Sequence, residues 1–70
     1  MNYLVVLEQA ADRTWSAFVP DLAGCVATAD TIEELRTLIA EAVVLHVESL
    51  RQHGEATPAA RAEAFVVRAV

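Results

Sequence analysis

Lysine is absent from this chain of 70 residues, and five arginines stand against ten acidic residues for a formal charge of −5. A surface that tracks phosphate needs clustered cations, so direct nucleic-acid binding by this chain is not expected. Cysteine occurs once, which excludes an internal disulfide, and no Cys/His set stands at zinc spacing. The two glycines, Gly24 and Gly54, are too few for a phosphate-cradling loop. No apolar run approaches the ~18 residues of a membrane span, and the N-terminus lacks the basic start and apolar core of a secretory leader. With a single free thiol, these absences point to the cytoplasm. Nothing in the composition calls for a metal or a cofactor.

What the chain does have is apolar residues, 56% of the total. The segment Asp30–Gly54 organises them. Ile32, Leu35, Ile39, Ala42, Val43, His46, Val47 and Leu50 recur at three- and four-residue steps, and Leu38 and Leu45 widen the stripe. Glu33, Arg36, Thr37, Glu41, Glu48 and Gln52 mark the opposite side. Either Asp30 or Thr31 suits the N-cap, with Glu33 and Glu34 in the positively polarised first turn. Gly54 suits a left-handed residue just past the C-terminal end.

Strand signals flank this helix. Asn2–Glu8 and Thr14–Val19 are rich in β-branched and aromatic residues, and the polar Gln9–Arg13 joins them as an antiparallel hairpin. In the second strand Trp15, Ala17 and Val19 share one face, Ser16 and Phe18 the other, and alternation alone does not choose which meets the helix. Pro20–Gly24 breaks the strand, Cys25–Ala29 forms a short third one, and Phe65–Val70 has the composition of a fourth. The order β-β-β-α-β predicts one α+β domain over residues 1–70. It is a two-layer sandwich: one mostly antiparallel sheet with a long helix on one face. A domain this small and this apolar, with no covalent staple, is expected to complete its core as a homo-oligomer, a dimer or tetramer.

Catalytic residues are not evident. Cys25 lacks the base and orienting group that a nucleophile needs, and reads as a small buried thiol. His46 has no second histidine at i+4 to make a metal pair, and His53 suits a helix C-terminus. Asp12, Asp21 and Asp30 sit where turns and caps want aspartate. An enzyme using Cys25 or His46 is the least supported reading. Trp15 and Phe18 have only Arg13 nearby as a cation, so core packing or a protein interface accounts for them better than base stacking.

The assembled pattern resembles the HicB-like antitoxin family in its short, stand-alone form. The strand Tyr3–Glu8 and the aromatic-led strand Trp15–Val19 precede a turn, Pro20-Asp21-Leu22-Ala23-Gly24-Cys25. In that turn Ala23 replaces the family's second proline. Thr28-Ala29-Asp30-Thr31-Ile32-Glu33-Glu34-Leu35 then resembles the threonine-capped start of the family helix, with Ala29 where a glycine often precedes the cap. The resemblance implies a partial, catalytically inert RNase H-like fold that binds and neutralises a small basic mRNA-cleaving toxin of the HicA type. Many members carry a further DNA-binding module, which would begin near Val70. Pro20, Asp21, Leu22, Gly24, Cys25, Asp30, Thr31 and Glu34 are then structural residues. Trp15, Glu33, Glu41 and Glu48 are candidate contacts with the partner, since an acidic surface gains association rate from a basic one. The rival reading is an orphan homo-oligomer of structural or regulatory role with no toxin.

Overall fold

Thr31, not Asp30, starts the helix. In the computed structural model, which describes all residues from Met1 to Val70, Thr31 is extended and its hydroxyl accepts from the Glu34 amide at 3.2 Å. Glu33 and Glu34 occupy the first turn, against the positive end of the dipole. Helix α1 then runs over Ile32–Gln52. His53 is its C-cap and Gly54 takes φ +68°. The Gly54 amide donates to Arg51 O (3.1 Å) and the Glu55 amide to Leu50 O (2.8 Å). This pair of bonds is a Schellman ending, which needs a residue at positive φ and finds a glycine there. Replacing Thr31 with alanine removes an acceptor from the first turn. It is expected to cost about 1 kcal/mol and to lower the thermal midpoint by roughly 4–8 °C, read by far-UV circular dichroism.

Three strands, β1 (Val6–Gln9), β2 (Trp15–Phe18) and β3 (Val26–Ala29), form one antiparallel sheet in the order β1-β2-β3. The β1–β2 hairpin closes on Arg13, a non-glycine residue at φ 72°, whose amide donates to Ala10 O at 2.9 Å. Asp12 steadies the turn by accepting from the Thr14 hydroxyl and amide at 2.6 and 3.0 Å. Those two bonds, the hydroxyl's first, hold the Asp12 carboxyl below its ordinary value.

β1 is shorter than the predicted Asn2–Glu8. Its ladder with β2 opens at Val6 opposite Phe18, because Pro20 turns the chain away just beyond. The Pro20–Gly24 turn is held by Leu22 N–H to Val19 O and Cys25 N–H to Leu22 O, at 3.0 and 3.1 Å, with Gly24 at φ +80°.

Register decides the face that alternation left open. Ala17 lies opposite Leu7 on one side and Ala27 on the other. These residues, with Trp15, Val19 and Cys25, turn toward α1 and meet Leu35 and Ile39. The buried core is Ala17, Val19, Leu22, Cys25, Leu35 and Ile39. Tyr3, Val5, Leu7, Ala42, Val43 and Val47 pack around it, half-buried.

Two expectations need correction. Leu38 and Leu45 do not widen the buried stripe; both are exposed. The sheet is only three strands wide, and α1 lies over β3 and β2 but clear of β1, so the rim of the stripe finds nothing to cover it. The fourth strand, Phe65–Val70, is also not formed. Residues 55–70 make no helix or strand. A strand exists only by pairing, and this segment meets no ladder in its own chain. Upstream it is pinned: the Tyr3 hydroxyl donates to Pro58 O, and the Arg61 and Ala62 amides donate to Asp21 Oδ2 at 2.9 and 2.8 Å. The α+β sandwich therefore consists of a three-stranded antiparallel sheet and one helix.

Candidate partner-binding interface

The helix presents Glu33, Glu41 and Glu48 on one side. At about 100° per residue, all three fall within a quarter-turn of one another, opposite Leu35 and Ile39. All three are exposed. With a rise of about 1.5 Å per residue, the row from Glu33 to Glu48 is roughly 22 Å long. Between its last two members lie Val44 and Leu45, 55% and 65% exposed. With Ala40 and Glu41 they line a shallow depression of about 460 Å³. The ridge thus sets exposed apolar side chains beside a row of exposed carboxylates.

The structure does not bring Trp15 to this ridge. It is half-buried on the helix-facing side of β2, against the core, opposite Gln9 and Ala29. The apolar spacing of the helix gives Val44 no role and assigns Leu45 to the buried stripe. The signal for both was the seven-residue step from Glu41 to Glu48, which leaves positions 44 and 45 between them on the outer side.

The turn and cap residues sit in structural roles. Leu22 and Cys25 are core, Gly24 supplies the positive φ, Asp21 ties down the C-terminal segment, and Thr31 caps α1 with the Glu34 amide. Pro20 and Asp30 are exposed at the turn and just before the cap. Burial pushes the Cys25 thiol above its ordinary value, which keeps it protonated and poorly nucleophilic. His53 lies at the helix end, its Nδ1 2.7 Å from Ser49 O, and His46 is half-buried. No group of three or more His, Cys, Asp or Glu side chains is placed to hold a metal ion. No helix is long and apolar enough to cross a membrane.

Comparison with known proteins places these features in a family. Residues 3–68 match the model of the HicB-like antitoxin of bacterial toxin-antitoxin systems. The chain is 42% identical over 57 residues to the UPF0150 protein ssr1765 of Synechocystis, covering 81% of this chain and 72% of that one. It is 35% identical over 69 residues to the UPF0150 protein Ta0767 of Thermoplasma acidophilum, covering 99% and 100%. No solved structure matches at the same stringency. From the capped helix, the hairpin and a match that spans nearly its whole length, the chain belongs to the HicB-like antitoxin family.

Proposed function

We propose that this chain is the antitoxin of a toxin-antitoxin pair and neutralises a HicA-like mRNA-cleaving toxin by covering it directly. The family match carries the reading. The acidic ridge of α1 supports it physically: Glu33, Glu41 and Glu48 steer a basic partner, and Val44 and Leu45 supply the apolar contact that sets the lifetime of the complex. Inhibition by coverage needs no catalytic group, and the protonated, core-facing Cys25 suits that role.

The test is capture of partners by the tagged chain from its native lysate at low salt, identification by mass spectrometry, and an RNA-cleavage assay on the purified partner. A small basic protein is expected, whose cleavage of RNA stops when about one equivalent of this chain is returned. The triple variant Glu33→Lys, Glu41→Lys, Glu48→Lys is expected to associate at least tenfold more slowly, with a weaker salt dependence. Recovery of the chain alone from cells that express a neighbouring toxin overturns the reading in favour of an orphan oligomer. Full inhibition by the triple variant at an unchanged rate moves the contact off α1.

A further inference from the structure

The run from Phe65 to Val70 has a strand's composition and no strand to join. Phe65 and Val66 are 87% and 98% exposed, and Val67 and Val70 are bare as well. The tethers upstream set its course. Past Tyr3, beside the start of β1, the chain crosses the end of the sheet to the β2–β3 turn, where Asp21 holds Arg61 and Ala62. From there it projects. The radius of gyration is 13.6 Å, where a compact chain of this length has about 11 Å. The longest extent is 46 Å, whereas a 21-residue helix spans about 32 Å.

A matching opening exists at β1. It is an edge strand, with one side of its ladder unpaired, and α1 stands clear of it. Where Met1 and Tyr3 lead into it, a groove of about 260 Å³ runs beside the second half of α1, lined by Met1, Tyr3, Val43, Val44 and Val47 together with Glu48 and Arg51. A strand laid against β1 and the residues that lead into it would send alternate side chains toward this groove and the others to the open face of the sheet. In the arm, Phe65, Val67 and Ala69 share one face; Val66, Arg68 and Val70 share the other. With Phe65 and Val67 toward the groove, Arg68 falls on the face that carries Glu8, and the charges agree. The other edge offers a more polar seat: the space beside β3 and the start of α1 is lined by Thr14, Thr28, Asp30 and Glu34, with Ala29 and Leu38 its two apolar residues.

We infer that two copies of this chain exchange these arms, each Phe65–Val70 segment pairing with β1 of the other copy as its fourth strand. A chain cannot readily serve its own β1. The three residues from Ala62 to Phe65 span at most about 10 Å. The place beside β1 lies two to three strand spacings, roughly 12 Å, from the β2–β3 turn, and the arm would have to turn back over its own crossing. A neighbour's arm meets neither obstacle. Two exchanged strands with their receiving edges and grooves cover on the order of 1,500 Å², the size of a stable interface.

Sedimentation equilibrium of the full chain at micromolar concentration is the first measurement, with twice the 7.6 kDa chain mass expected. Val67 is exposed in the single chain, so Val67→Asp leaves its fold intact but sets a carboxylate against Val43 and Val47 in the exchanged pair. That variant is expected to be monomeric, its dissociation constant raised at least 100-fold, with its helical circular dichroism retained. Hydrogen exchange locates the contact: β1 amides facing away from β2 are protected in the wild type and exposed in Val67→Asp. A monomeric wild type overturns the inference, and so does a Val67→Asp variant that remains dimeric. Outward β1 amides that exchange equally fast in both proteins overturn it too.

Discussion

Leu35→Ala is expected to bring the domain to the edge of unfolding at 25 °C. Leu35 is fully buried, at 0% exposure, where α1 meets Ala17, Val19 and Leu22. Truncating a leucine in such a place costs about 2–5 kcal/mol, the lost transfer energy plus the cavity left behind. A chain of this length has a total stability of roughly 4–10 kcal/mol. Six buried residues make the whole core, so few neighbours can move in to fill the gap. Leu45→Ala is the control. Its side chain is 65% exposed, and the same chemical change there is expected to cost less than about 0.5 kcal/mol. Urea titrations of both variants, at one protein concentration because self-association adds to apparent stability, give the comparison. Equal losses at the two positions would mean that α1 is rotated about its axis and that Leu35 is not its centre of contact.

That contrast shows what could be read from residues alone. The helix, its start near Thr31 and its end at Gly54 were legible because caps are local: each depends on a side chain and an amide three residues apart, or on one glycine. The three strands and the hairpin were legible from β-branched content and turn residues. The limits of the apolar stripe were not. Leu38 and Leu45 have the right spacing for burial, and only the width of the sheet, three strands with α1 displaced toward β3, leaves them outside. The same reason governs Phe65–Val70. Its composition states that it can be a strand, whereas pairing depends on which edge is within reach, a property of tethers 40 residues away in sequence. Of the candidate contacts, Glu33, Glu41 and Glu48 were legible as a row because spacing sets helix side. Trp15 was not, since its face followed from the register of β2 against both neighbours.

Those tethers yield the second large effect: Asp21→Ala is expected to expose the Arg61–Ala62 peptide bond to trypsin. One carboxylate oxygen accepts from the Arg61 amide, at 2.9 Å, and from the Ala62 amide of that bond itself, at 2.8 Å, and holds it against the body. Bonds to a charged acceptor contribute more than neutral ones, and losing the pair costs about 1–3 kcal/mol net, because the freed amides return to water. If cleavage requires the segment to detach first, that energy corresponds to roughly a 5- to 150-fold faster cut at Arg61. The turn itself is expected to survive, since the Leu22 and Cys25 amides close it without Asp21. The Arg13–Thr14 bond, in the hairpin at the other end of the sheet, serves as the internal reference and is expected to be cut at an unchanged rate. Tyr3→Phe removes the other tether, at Pro58, and combined with Asp21→Ala it is expected to free the whole segment from Pro58 onward. An Arg61 cut that Asp21→Ala does not accelerate would mean that the arm is held by contacts other than this carboxylate. The course of the chain toward a second copy would then not be set at the β2–β3 turn.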